Sequence, residues 1–221
     1  MKKSLEDFRN IHKDSDIYII ASGKSLDYID NSFFENKITI GVNQVYNKIL
    51  TKYLVRKEHI LLDKIMNINT IHFVSEGNCG DPDNINDLYI KTNYSENDNI
   101  IVYKHDANIC EVNELPDDNK LIVSWSTITT AIHLAAFMGA KNILLVAHDC
   151  GFLDNESNFT GYHNDDFKPD YNIYNNWLPL IENQTIKLKS LLKEKYNCNI
   201  YSLNPFINFN LENHIYKKTI D

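Results

Sequence analysis

The stretch Asp16-Ile17-Tyr18-Ile19-Ile20-Ala21-Ser22-Gly23-Lys24-Ser25-Leu26 decides the fold class of this chain. Its apolar, β-branched run from Ile17 to Ala21 reads as a strand buried on both faces, and the small residues after it read as a turn that opens a helix. That junction is where α/β proteins hold phosphates, because the small residues let backbone approach a ligand and the helix start offers amide N–H groups. Ser25 is expected to cap the helix through its hydroxyl oxygen. The turn departs from two familiar phosphate loops. A Walker A loop needs an upstream glycine that is missing before Gly23-Lys24-Ser25, and a dinucleotide fingerprint needs second and third glycines.

Outward from this stretch, further strand-like runs fall at Ile38–Val42, Tyr53–Val55, Thr70–Val74, Ile100–Val102, Lys120–Val123, Asn142–Val146 and Asn199–Leu203. Helical patterns lie among them. A short polar helix is expected around Leu5 to His12, a strongly apolar one over Thr127 to Met138 ended by Gly139, and a long one from Tyr174 or Leu178 to Lys195. Apolar runs alternating with helices predict one α/β domain over residues 1–221, with a mostly parallel sheet and helices on both faces. From about 76 to 118 the chain turns polar, with Asp81-Pro82-Asp83 and Leu115-Pro116-Asp117-Asp118 as turn signals. This segment reads as an elaborated crossover, either part of a substrate lid or a surface insertion.

Composition narrows the function classes. With 221 residues, 43% hydrophobic and 24% charged, the chain has the make-up of a folded globular domain. A net charge of -8 argues against nucleic acid as the main partner, since such surfaces carry a basic excess. Arg56 with Lys57, and Lys187 with Lys189, read either as solvated surface clusters or as a local basic pocket. Cys79, Cys110, Cys150 and Cys198 are scattered without a Cys-x-x-Cys pair, and no His/Cys pair has ligand spacing, so free thiols and no metal site are expected. The segment Met1-Lys2-Lys3-Ser4-Leu5-Glu6-Asp7-Phe8 lacks the apolar core of a signal peptide, and no run approaches the roughly 20 apolar residues of a membrane span. The expectation is a cytoplasmic protein, alone or as a homo-oligomer, with attachment to the inner face of a membrane left open.

In parallel sheets ligands bind beyond the carboxyl ends of the strands, which selects the candidate site residues. Ser22, Gly23, Lys24 and Ser25 follow the first strand, and Asn43 and Gln44, whose amides can read a ribose or base edge, follow the second. Ser124-Trp125-Ser126-Thr127 follows the run at Lys120–Val123 and places Ser126 and Thr127 at a helix start. Ala147-His148-Asp149-Cys150 follows the run at Asn142–Val146. Asp149 is expected to accept from ribose hydroxyls or hold a divalent cation, or else to cap the turn after it. His148 and His163 are the acid/base candidates, because imidazole titrates nearest neutrality, and the polar loop around His163 favours it. Tyr162, Tyr171, Tyr174 and Trp177 are placed either to stack on a sugar or base or to pack the final helix.

Taken in order, these motifs resemble a group of Rossmann-like bacterial and archaeal proteins. The group includes small CMP-sialic-acid-dependent sialyltransferases, motility-accessory-factor glycosyltransferases and 6-hydroxymethylpterin pyrophosphokinase-like proteins. Ala21-Ser22-Gly23-Lys24-Ser25-Leu26 stands where the group has Gly-x-Gly-Pro-Ser-Leu, and Val42-Asn43-Gln44-Val45-Tyr46 is similar to Cys-Asn-Gln-Phe-Tyr. Ser126-Thr127 resembles a Thr-Ser helix start, Asn142 to Asp149 a strand ending in Gly-Ile-Asp, and Asn183 to Pro205 the last helix and strand. The resemblance covers both ends of the chain and skips the middle.

The resemblance implies that Ser22, Gly23 and Ser25 contact a nucleotide phosphate. It assigns Asn43 and Gln44 to the nucleotide or donor sugar, and Ser126, Thr127 and Asp149 to the ribose and base region. Two departures stand out. No His falls at Leu180 to Glu182, where the sialyltransferases' catalytic His would align, leaving His163, shifted upstream, as the replacement. Lys24 in place of Pro sets a cation beside the phosphate. The implied function is a glycosyltransferase that moves a sugar from a nucleotide-activated donor, a CMP-sugar by preference, to a glycan or other hydroxyl acceptor, with no cofactor required. Two alternatives stay open: a Mg²⁺-dependent pyrophosphokinase-like enzyme using Asp149 with Asp165 or Asp166, and a nucleotide-binding module without catalysis.

Overall fold

The computed structural model describes residues 3–57, 69–77, 97–105, 111–116, 119–162 and 171–203. Seven strands, β1 (Ser15–Ile20), β2 (Ile38–Val42), β3 (Tyr53–Arg56), β4 (Ile71–Ser75), β5 (Ile100–Tyr103), β6 (Ala140–Val146) and β7 (Asn199–Ser202), join helices α1 (Thr127–Phe137) and α2 (Tyr171–Tyr196). The strands form one sheet in the order β5-β4-β3-β2-β1-β6-β7, and every neighbouring pair is parallel. The chain therefore steps outward from β1 to β5, then returns to the opposite side of β1 to lay down β6 and β7. The order reverses between β1 and β6, and the loops leaving these strands diverge there, opening a crevice at their carboxyl ends.

The sheet centre is buried on both faces, as the apolar runs predict. Ile17, Ile19 and Ile20 of β1 and Ile143, Leu145 and Val146 of β6 have no solvent exposure. Helix α1 packs on β1, β2, β3 and β6 and against α2, and all its residues are buried, so it has no solvent-exposed face. Gly139, at φ +91, stops α1, and a Cβ there would come within 2.9 Å of Lys13 Cα. Strand β6 starts at the next residue, Ala140, which places the amino end of α1 at the carboxyl edge of the sheet.

Three expected elements come out differently. Lys120–Val123 is extended but is no strand: after one bridge from Lys120 to Lys104, its polar backbone is satisfied by side chains of α1. His133 Nδ1 accepts from Ile122 N at 3.0 Å and Thr130 Oγ1 donates to Ile122 O at 2.7 Å, leaving no ladder to form there. The N-terminal helix is a single 3-10 turn, Leu5–Phe8, closed by a capping box between Ser4 and Asp7 and anchored by buried Leu5 and Phe8. The helix after β1 is likewise a short 3-10 segment, Lys24–Tyr28. Most of the polar segment from 76 to 118, read as a lid or an insertion, lies outside the described residues, β5 excepted.

Candidate functional site

A cleft of about 290 Å³ opens at the switch point. Its floor is the contact between the turn after β1 and the loop after β6. Gly23 N donates to Ala147 O at 2.9 Å, and a Cβ on Gly23 would lie 2.4 Å from both Ala147 O and Asp149 Cγ, so only glycine fits there. Asp149 is buried and accepts from Ser25 through both oxygens, from its N–H at 2.8 Å and its hydroxyl at 2.6 Å. Burial pushes the Asp149 carboxyl up, against the two hydrogen bonds from Ser25 that pull it down.

This geometry changes the reading of the first turn. Ser25 does not cap the helix through its hydroxyl; Gly23 is the N-cap residue and makes no side-chain bond. Asp149 supplies the capping oxygen from across the sheet, a longer-range version of the turn-capping role expected of it. The amides of Ala21, Gly23, Ser25 and Leu26 donate to Val146 O, Ala147 O, Asp149 Oδ2 and Gly23 O, so they are committed within the protein. A segment of five residues also carries little macrodipole.

Lys24 points away from the cleft. Its ammonium lies 2.9 Å from Asp27 and donates to Thr160 Oγ1 at 3.1 Å. Asp27 is a hub: it also receives Lys48 Nζ, Thr160 N at 3.0 Å and Thr160 Oγ1 at 2.8 Å. Burial pushes its carboxyl up, but the hydrogen bonds from Lys48, Lys24 and Thr160 outweigh it and hold Asp27 well below the usual carboxylate range. The hub ties the loop around Asn158 to the first turn. Asn158 Nδ2 donates to Ser22 Oγ at 3.0 Å, and Phe159 N to Ser22 O at 3.0 Å. This brings Asn158 and buried Tyr162 onto the cleft wall.

The opposite wall is built at the amino end of α1. Ser126 caps the helix by accepting from Ile128 N at 3.4 Å, and Ser126 and Thr127 line the cleft. Beside them Lys57, at the carboxyl end of β3, donates to Ser124 O at 2.5 Å and also lines the cleft. Cation and helix start thus meet at one corner, a pairing that favours an anion. Asn43 projects from the end of β2 with φ +52, and Ala147 and Cys150 flank the floor at φ +53 and +45. Left-handed backbone at these non-glycine residues costs energy that the surrounding packing has to offset.

Of the other expected residues, His148 lines the cleft but is buried, its Nε2 bonded to Thr185 Oγ1 at 2.8 Å, and burial pushes its pKa down to about 4. It is neutral near pH 7. Gln44 sits one residue into the 3-10 segment Asn43–Asn47 and does not line the cleft. His163, Asp165 and Asp166 lie outside the described residues, as do the side chains of Tyr171 and Tyr174. Among the described residues no three His, Cys, Asp or Glu side chains gather as a metal-binding group, and no helix is long and apolar enough to cross a membrane. Sequence reasoning did not place Lys57 or Asn158 among the site residues. The strand-end rule applied to Tyr53–Val55 would have found Lys57, whereas nothing local distinguishes Asn158.

No family model matches the chain, and no curated protein matches it in sequence. Solved structures do. The chain is similar to the sialyltransferase CstII of Campylobacter jejuni, in a structure with the substrate analogue cytidine-5'-monophosphate, at 17% identity over 95% of this chain and 92% of that one, with a TM-score of 0.51. It is also similar to the monofunctional alpha-2,3-sialyltransferase Cst-I of the same organism, at 18% identity over 90% and 82% of the two chains, with a TM-score of 0.50. What the chain shares with these sialyltransferases is the Rossmann-like fold, a parallel sheet with helices packed against it, over nearly its whole length.

Proposed function

We propose that this protein is a glycosyltransferase that moves a sugar from a nucleotide-activated donor, with CMP-sugars preferred, to a hydroxyl acceptor. The observation that carries the reading is the corner where Lys57 meets the amino end of α1 over the switch-point cleft. In such a transfer the bond between the sugar's anomeric carbon and the phosphate oxygen breaks, the acceptor oxygen bonds to that carbon, and the acceptor proton passes to a base. Charge therefore grows on the departing phosphate. A preorganised cation and helix start are what stabilise it. The likeness to CstII, whose structure holds cytidine-5'-monophosphate, supports a CMP-type donor in the same crevice.

The roles follow from chemistry. Lys57, Ser126 and Thr127 take the phosphate, while Ser22 and Asn43 offer polar groups to ribose and base. Asp149 acts through Ser25, holding the turn that forms the floor, and touches no reacting atom. His148 is a weak base at its depressed pKa, since a general base works best with a pKa near the working pH. His163, next in sequence to Tyr162, is the base in this proposal. The test is a panel of CMP-, UDP- and GDP-sugars followed by thermal shift and by release of nucleotide. A rise in melting temperature and turnover with the CMP-sugar are expected. No shift and no turnover with any of the three would overturn the reading.

A further inference from the structure

The chain has two tryptophans, Trp125 and Trp177, and both line the switch-point cleft. They approach it from different elements, one just before α1 and the other on α2. Each stays in contact with solvent, Trp125 at 37% exposure and Trp177 at 45%. Neither indole N–H donates to any described residue. Leaving such rings in water is unfavourable when the same cleft has buried Tyr162 and Ile128, so their position at the rim calls for a ligand face to cover them.

The geometry points to a saccharide platform: Trp125 and Trp177 receive the sugar rings of the acceptor at the mouth of the cleft. A pyranose ring has an apolar face of C–H groups and an equatorial belt of hydroxyls. The first matches an indole face, and the second can accept from an indole N–H. At about 290 Å³ the cleft is at the small end of ligand pockets, roughly 300–1,000 Å³, so the donor nucleotide fills its polar floor and the acceptor meets the rim from solvent. The inference deepens the transferase reading and rests on it. It assigns substrate selection to two residues outside the phosphate corner.

Intrinsic fluorescence reads this rim directly, because no other tryptophan contributes. The full-length protein is titrated with lactose, maltose and N,N'-diacetylchitobiose, each with and without saturating CMP, and so are Trp125→Phe and Trp177→Phe, each of which keeps one indole. A saturable change in emission in both single-tryptophan variants with at least one disaccharide is expected. Trp125→Ala and Trp177→Ala should each raise its half-saturating concentration by about tenfold or more. No emission change with any disaccharide overturns the inference. So does a change produced by CMP alone together with weaker CMP binding in the alanine variants, which would make the indoles a nucleobase platform. A disaccharide response in a protein that binds no nucleotide upholds the platform and overturns the donor reading alone.

Discussion

Two junctions in this molecule have the same local plan, a chain emerging at the carboxyl edge of the sheet and entering a helix, yet they do opposite work. At the turn after β1 the amides of Ala21, Gly23 and Ser25 donate to Val146 O, Ala147 O and Asp149, and the helix that follows is a five-residue 3-10 segment. At Ser126 the helix that follows has 11 residues, and a lysine from β3 stands beside it. The first junction is a buttress, and the second is the corner to which the proposed function assigns the donor phosphate. The difference teaches that a strand-turn-helix pattern states only where donors are, whereas their availability depends on what the neighbouring loop contributes.

The contrast yields predictions that decline in size. Gly23→Ala forces a Cβ to 2.4 Å from Ala147 O and should cost about 3 kcal/mol of stability, read as a lower urea midpoint with little change in m. An unchanged midpoint would remove the buttress. Asp149→Ala leaves the buried N–H and hydroxyl of Ser25 without their acceptor and should cost about 2 kcal/mol. A variant that keeps full stability but loses nucleotide binding would instead make Asp149 a ligand contact. Lys57→Ala should act the other way, with little loss of stability and a roughly tenfold weaker affinity for CMP, about 1.4 kcal/mol, measured by calorimetry. Equal CMP affinity in this variant and the wild type would return Lys57 to the surface role its sequence suggested.

The smallest effect concerns pH. Asp27 is held below its ordinary carboxylate value in the folded state, so the stability it contributes is complete above about pH 4, where the unfolded side chain is ionised. That contribution is lost as pH falls through the folded value. Asp27→Asn should therefore lower the melting temperature at pH 6, by the equivalent of about 1 kcal/mol, and the gap between the two proteins should close on acidification below pH 4. A gap that stays constant with pH would mean that shape, and not charge, joins Lys24, Lys48 and Thr160.

Much of this was legible along the chain. The runs at β1, β2 and β6 are apolar on both faces, and that pattern belongs to strands in a covered parallel sheet. Thr127 to Met138 reads as a helix, observed over Thr127–Phe137, and Gly139 as its stop, because φ +91 is a conformation that glycine takes without strain. Lys120–Val123 differs from its expected strand for a physical reason: a short apolar extended run is the same in sequence whether its backbone meets a strand or, as here, a histidine and a threonine from a helix. Of the residues expected at the site, Ser22, Gly23, Asn43, Ser126, Thr127, His148, Asp149 and Tyr162 do line one cleft. Lys24, Ser25 and Gln44 do not, since two of them spend their polar groups on Asp27, Thr160 and Asp149, partners distant in sequence or set by a single helical turn.

Hydrophobic periodicity and turn chemistry are local properties, so the linear chain already declares a parallel α/β sheet, its central strands and the edge on which ligands gather. Whether a given donor at that edge faces a ligand or another part of the protein depends on contacts between residues more than 100 positions apart, such as Ser25 with Asp149 and Lys24 with Thr160. Only the folded molecule decides that. It is why the glycine turn after β1 is tied to Asp149, while Lys57 comes to stand beside the start of α1.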